Sequence, residues 1–535
     1  MKRPRSVKTI SKGDEPLARI EWQDQQPLPP PYDKCECEPE FKPLSDKARE
    51  QYMVLDDTVA LNLPRPQSPE EEERLVNSFL DGFRKCLTPE NNWTFLQQLM
   101  LSLEHCAKCQ TCSEACHIYE ESGHNPLYRP SYRSEILRRI YQKYILGKSR
   151  WHHGDIDLNW KTVLRLIELA YRCNICRRCA QTCPIGCDNA VMAREIRKIA
   201  SQEMGIAPKE LHDNGSVLQL KVGSSTGMNE LVLRDNVEFI DEDTSELTGV
   251  EVKTPFDKKG ADILLVHNAG EIMAWPENVG SFSLIFQQAG LDWTLASQGP
   301  AYDGINYGVF YDDVQFARTA VAHAKVAAEL GVNKIVMAEC GHANKALTVI
   351  ADRVLTGGLN TPRESAMVTI RDLIINGKVK VDPSRNDFPV TLHDPCNLVR
   401  LMGVVKPQRE ILEAILPPGR FREMQPHGVN NFCCGGGSGF AIMSGHNFAD
   451  WRHRLSGRRK FRQILEAFQD EPMDPGLRKY VCAPCSNCKG QMRDIFDYYG
   501  ATEKYGIHYG GLVELIVNAM VDVEPGYLDK LEEGI

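Results

Sequence analysis

Two copies of one cysteine spacing constrain what this chain can fold into. The run "CAKCQTCSEAC" carries Cys106, Cys109, Cys112 and Cys116, and "CNICRRCAQTCPIGC" carries Cys173, Cys176, Cys179 and Cys183 ahead of Pro184. Each reads C-x2-C-x2-C-x3-C. That spacing lets three cysteines wrap one cubane cluster corner by corner, while the fourth points away to a second cluster. One cluster then falls to Cys106, Cys109, Cys112 and Cys183, and the other to Cys173, Cys176, Cys179 and Cys116. A doubled match favours iron–sulfur ligation over zinc. His117 stands where proline usually follows the fourth cysteine. The stretches around the motifs, "SPEEEERLVNSFLDGFRKCL", "NWTFLQQLMLSLEH", "SYRSEILRRIYQKYI" and "NWKTVLRLIELAYR", carry helical start signals or apolar residues at helical spacing.

A second cysteine group lies between 390 and 490. "VTLHDPC" ends on Cys396, "NNFCCGGGSG" holds Cys433 and Cys434, and "YVCAPCSNC" supplies Cys482, Cys485 and Cys488. Adjacent side chains diverge on a strand and sit about 100° apart on a helix, so a vicinal pair rarely packs as one apolar unit. Gly435, Gly436, Gly437 and Gly439 permit a sharp turn that aims backbone N–H groups at sulfur or an anion. A redox dithiol or a zinc site is the plainer alternative, but zinc takes four ligands and this region offers six cysteines.

Composition narrows the class further. The chain has 535 residues, 42% of them apolar, and a formal charge of −9, which argues against a general nucleic-acid binder. No apolar run approaches the roughly 20 residues needed to span a bilayer, and the start lacks a secretory apolar core. A cytoplasmic protein, peripheral to the membrane, is expected. Of its 19 cysteines, Cys35, Cys37 and Cys86 alone lie outside the clustered groups and the related Cys340. A secreted disulfide framework would spread them over many short loops. Tight CxxC groups in a large chain read instead as metal ligation.

The second group resembles the cysteine-rich CCG domain of heterodisulfide reductases, and the doubled motif resembles their α-helical ferredoxin domain. The resemblance implies a noncubane [4Fe–4S] cluster on Cys396, Cys433, Cys434, Cys485 and Cys488, catalysing cleavage of a sulfur–sulfur bond, beside two cubane [4Fe–4S] clusters. Cys482 is extra, and the gap from Cys434 to Cys485 is longer than the family norm, so Cys482 stays a candidate ligand. Within the family, the HdrD-like members of membrane complexes are the nearest in pattern. They imply a quinol-oxidising haem b partner in the membrane and a DsrC-like sulfur carrier as substrate. Reduction of the CoM-S-S-CoB heterodisulfide, or simple electron relay for a flavin-dependent dehydrogenase, are the competing readings. No flavin site is evident.

The expected fold is α/β with an all-α part. Residues 1–68 read as an extended, partly disordered arm with a basic start. Residues 69–205 form the ferredoxin domain, and 206–260 a linker or covering hairpin around "GSSTG". Residues 261–378 read as a degenerate CCG repeat and 379–535 as the intact one with a C-terminal helix. The repeat rests on two alignments. "ILLVHNAG" parallels "VTLHDPC", setting Gly270 against Cys396, and "KIVMAECGHA" parallels "KYVCAPCSNC", setting Cys340 against Cys485 and Ala343 against Cys488. Cys340 is either a buried relic or, with Glu339 and His342, a lining of the substrate site. Cys86 and Cys187 read as buried thiols, and Cys35 and Cys37 carry no assignment.

Overall fold

A computed structural model describes residues 19–534 except Pro64, so the expected basic start of the arm lies outside the described residues. The chain divides into two compact units. One holds the described residues up to His212 together with Phe310–Asp313 and Phe432–Arg462, and the other holds the remainder.

The first unit is helical, as its sequence periodicity dictates. Helix Pro69–Cys86 starts where Ser68 accepts a hydrogen bond from the Glu71 amide, with proline and glutamates in the first turn and Arg84 and Lys85 in the last. It buries Leu75, Phe79, Phe83 and Cys86 at helical spacing. Helix Asn189–Met204 is capped by Asp188 and ended by the left-handed Gly205. A Cβ on Gly82 would lie 2.5 Å from the Glu203 side chain, so these two helices meet at a glycine. The described arm from Arg19 is extended with short helical turns, and it buries Ile20, Leu28, Tyr32, Leu55, Val59 and Leu63. Glu38 anchors it by accepting from Arg454 and Arg458.

The second unit contains two four-stranded parallel sheets with one topology. Strands β1 (Ile263–Val266), β2 (Trp293–Thr294), β3 (Lys334–Met337) and β4 (Arg363–Ser365) lie in the order β2-β1-β3-β4. Strands β5 (Val390–Leu392), β6 (Phe421–Arg422), β7 (Lys479–Cys482) and β8 (Ile507–Gly510) repeat it as β6-β5-β7-β8. β1 and β7 are buried along their whole length, the habit of parallel strands covered by helices. The repeat expected from the sequence is therefore present as structure. Its turns match too: after β3 the Cys340 amide donates to the Ala338 carbonyl at 2.8 Å, and after β7 the Cys485 amide donates to the Ala483 carbonyl at 2.6 Å.

Two expectations need correction. No hairpin forms between 206 and 260. That stretch is helical, with Leu218–Val222 and the long helix Glu230–Thr248, which Asn229 caps and Gly249 ends. Leu233, Val237, Ile240 and Thr244 are buried in it, a 3.6-residue period that β-branched content had masked. The amphipathic C-terminal helix is instead Leu512–Ala519, buried on every side, and a further helix, Tyr527–Glu533, follows it.

Candidate iron–sulfur and redox site

The two ferredoxin motifs fold alike. In the first, Lys108 and Gln110 flank Cys109 with φ of 57° and 71°; in the second, Ile175 and Arg177 flank Cys176 with φ of 49° and 61°. A β-branched residue such as Ile175 in the left-handed region is strained, and such strain is tolerated where the surroundings fix it. The result is a loop curled so that its sulfurs face inward. Cys106, Cys109, Cys112 and Cys183 line one cavity of about 360 Å³, with Cys187 beside them. Cys116, Cys173, Cys176 and Cys179 line another of about 460 Å³. Three cysteines of each motif thus meet the fourth of the other.

The donor set suits iron–sulfur clusters. The described cysteines are free of disulfides. Burial pushes the Cys116 thiol up to about 12, so it would surrender its proton only to a cation such as iron. Buried Arg133 donates to Cys173 Sγ at 3.3 Å, and the Ile175 amide donates to the same sulfur at 3.4 Å. Both favour thiolate charge.

The vicinal cysteines belong to this same unit and are tied to the second motif. Asn174, between Cys173 and Cys176, donates to the Gly435 carbonyl at 2.9 Å. Its own oxygen accepts from His117 at 2.9 Å and from Ser456 at 2.8 Å. Arg197 bridges the Cys173 carbonyl and both oxygens of Ser438. Phe432, which precedes Cys433, lies between the guanidinium groups of Arg178 at 4.0 Å and Arg459 at 4.2 Å. Gly435 makes the turn at φ 94°, and its amide donates to Cys433 Sγ. Cys433 and Cys434 are both buried.

The other cysteines of the group sit in the α/β unit. Cys396 starts helix Cys396–Leu401 directly after β5. The turn before it is held by Asp394, which accepts from both ends of the Arg409 guanidinium and from the Gly428 amide. Cys485 precedes helix Ser486–Tyr499, and Cys488 lies in its first turn. Cys485 Sγ accepts from the Gly341 amide at 3.3 Å, so Cys340 and Cys485 approach one another across the pseudo-symmetric junction. A Cβ on Gly341 would stand 3.2 Å from that sulfur. Cys340 caps its own short helix by accepting from the Ala343 amide, and burial, then Glu271, raise its thiol. Glu339 turns elsewhere, accepting from the Leu512 and Val513 amides, and His342 bonds Asn306. Cys482 packs in the apolar core opposite Leu392, the position of a structural thiol.

Sequence reasoning passed over Arg133, Asn174 and His393. His393 is fully buried, and its Nε2 lies 3.2 Å from Cys488 Sγ. The signal was in the repeat itself: "VH" after β1 and "LH" after β5 place His267 and His393 at one register.

Exposure separates the cysteines chemically. Cys109 is exposed, and the Thr111 hydroxyl 3.2 Å from its sulfur holds the thiol below its ordinary value. Burial raises Cys86 and Cys340. In folded, cluster-free protein, iodoacetamide is expected to modify Cys109 first and Cys86 and Cys340 last, read by peptide mass spectrometry. Equal rates at all three would contradict this packing.

Residues 102–187 match the family model of the 4Fe-4S dicluster domain, and residues 390–493 match that of the cysteine-rich CCG domain. The chain is similar to the Hdr-like menaquinol oxidoreductase iron-sulfur subunit 2 of Archaeoglobus fulgidus, 27% identical over 498 residues, 83% of each chain. It is 26% identical over 507 residues to the Hdr-like menaquinol oxidoreductase iron-sulfur subunit of Archaeoglobus profundus, covering 85% of this chain and 84% of that one. It is also 26% identical over 349 residues to HdrD, the dihydromethanophenazine:CoB–CoM heterodisulfide reductase polypeptide of Methanosarcina acetivorans, covering 64% of this chain and 79% of that one. Among the described residues no helix is long and apolar enough to cross a membrane. With ferredoxin and CCG regions in this order and a duplicated parallel-sheet unit, the chain belongs to the HdrD-like family of heterodisulfide-reductase-related iron–sulfur proteins.

Proposed function

We propose that this chain is a DsrK-type reductase subunit. It takes electrons from a quinol-oxidising haem b partner and reduces a sulfur–sulfur bond of a DsrC-like carrier, as a cytoplasmic subunit peripheral to the membrane. Cys106, Cys109, Cys112 and Cys183 would hold one cubane and Cys116, Cys173, Cys176 and Cys179 the other. Cys396, Cys433, Cys434, Cys485 and Cys488 would hold the noncubane cluster. When bound, the cubanes supply one-electron steps and the noncubane cluster an iron that a substrate sulfur can bind. Metal analysis after anaerobic preparation is expected to give about twelve irons per chain; stoichiometric zinc with eight irons or fewer would count against it.

The observation that carries the reading is the Asn174 bridge. One side chain joins the loop of the second ferredoxin motif to the glycine turn beside Cys434, a continuous hydrogen-bonded path within one unit. A pure relay has no need of vicinal cysteines at the end of such a path. The first motif opens at the other end: Ala107, Lys108, Cys109, Pro184 and Ile185 are exposed, which fits electron entry from a partner. Cleaving R–S–S–R′ to two thiols takes two electrons and two protons, and the chain shows no flavin site to supply electrons in pairs. A partner must deliver them.

The likeness to a methanogen heterodisulfide reductase favours a second reading, with CoM-S-S-CoB as substrate. The test is anaerobic turnover of the purified protein with an artificial donor, scored by thiol release. Thiol from the carrier trisulfide or disulfide supports the first reading, and thiol from the heterodisulfide alone supports the second. No release from either leaves an electron relay for a flavin-dependent dehydrogenase.

A further inference from the structure

We infer that His393 is a positioning residue for the proposed noncubane site: its Nε2–H donates to the Cys488 thiolate and makes that site easier to reduce. The inference rests on the reading that Cys488 is a cluster ligand. Three observations carry it. The ring is fully buried with Nε2 3.2 Å from Cys488 Sγ, inside the range for a hydrogen bond to sulfur. Its backbone is fixed as firmly as the ring, because the His393 amide donates to the Cys482 carbonyl at 2.8 Å, extending the β5–β7 ladder by one bond. Cys488 is fixed as well, its amide donating to the Cys485 carbonyl at 2.8 Å in the first helical turn.

The third observation is an internal control. The degenerate repeat keeps a histidine at the same register, His267, but has Ala343 where the intact repeat has Cys488. There the ring turns its Nδ1 to the Glu271 carboxylate at 3.1 Å, and its Nε2 finds no partner. A histidine at the end of this strand thus faces sulfur through Nε2 in the repeat that has kept its cysteines. With a thiolate as the acceptor, the Nε2–H tautomer is the one that forms the bond. Hydrogen bonds to ligand sulfur withdraw charge from it and raise a cluster's reduction potential.

The test uses the anaerobically purified holoprotein and two variants, His393→Leu, which removes the donor, and His393→Gln, which keeps an N–H of similar reach. The readout is a redox titration followed by the noncubane spectroscopic signal, with the cubane signals as an internal reference. The Leu variant is expected to keep its iron and its cubane potentials. Its noncubane reduced-to-oxidised ratio at a fixed potential should fall by a factor of ten, about 59 mV for one electron, and the Gln variant should recover most of that. An unchanged noncubane potential in a cluster-loaded Leu variant overturns the inference. If the Leu variant loses the noncubane iron, the Gln variant decides. A loaded Gln protein near the parent potential supports the donor role, and loss of iron there too makes His393 merely structural. Failure of the underlying reading looks different: the Cys488→Ser protein would keep the parent's noncubane signal.

Discussion

Cys433→Ser and Cys434→Ser proteins are expected to lose sulfur–sulfur bond reduction altogether while keeping about eight of about twelve irons. A hard hydroxyl is a poor substitute for a soft thiolate at iron, so the noncubane cluster should be lost or altered. The cubanes should survive because their cysteines line separate cavities built from residues 106–116 and 173–187. The fold should survive too, since serine is close in size to cysteine and the loop is held by other groups: Asn174, Ser456 and Arg197 bind its backbone and Ser438. A Cys106→Ser protein should behave in the opposite sense, delivering electrons slowly but keeping the substrate-sensitive noncubane signal. The measurements are iron content, cubane spectra and thiol release with a donor able to reach the noncubane site directly. Full reductase activity in the Cys433→Ser, Cys434→Ser double variant would sink the proposed reaction site.

How much of this was readable in advance follows the range of the interactions. Helix Pro69–Cys86 was legible because its cap, its first-turn acids and its apolar period are all local. The duplicated sheet was legible because parallel strands are short apolar runs, and two pairs of them share flanking residues. The crossed grouping of cysteines followed from spacing alone. What was not legible depends on partners far along the chain. That residues 432–462 fold with the ferredoxin helices is decided by Asn174, Arg197 and Glu121, each more than two hundred residues away from its partner there. Glu121 is buried and accepts from Arg458 and Arg462, and burial outweighs those cations in raising its carboxyl. No local pattern announces such pairs. His393 was missed for another reason: at a strand end it reads as punctuation, and its role shows only when Cys488 is seen beside it. The helix at 230–248 was misread because Leu, Val and Ile suit either period, and the capping Asn229 and Gly249 were the better guides.

Gly435→Ala is expected to be as damaging as loss of a cysteine, for a reason of shape. Gly435 has φ of 94°, outside the region an L side chain adopts readily. A Cβ there would stand 2.4 Å from the Ser456 carbonyl oxygen and 2.6 Å from the Gly457 nitrogen. Both are backbone atoms and cannot swing aside as a flexible side chain could. The conformational penalty is about 1–3 kcal/mol, and forced backbone movement adds a similar amount. The turn therefore has to open, and its opening moves the Gly435 carbonyl that accepts from Asn174 and Ser456. The vicinal cysteines and the link to the second ferredoxin motif would be displaced together. At about 2–4 °C per kcal/mol for a unit of this size, the melting of the ferredoxin-bearing unit should fall by roughly 5–15 °C. Noncubane iron and thiol release should fall to background, while cubane iron is retained below the new melting point. Gly358→Ala is the matched control: no heavy atom lies within 4 Å of its added Cβ, and its backbone is not in the left-handed region. A Gly435→Ala protein with parental melting, parental iron and full turnover would show that the turn at Cys433–Gly435 is not what holds the vicinal pair in place.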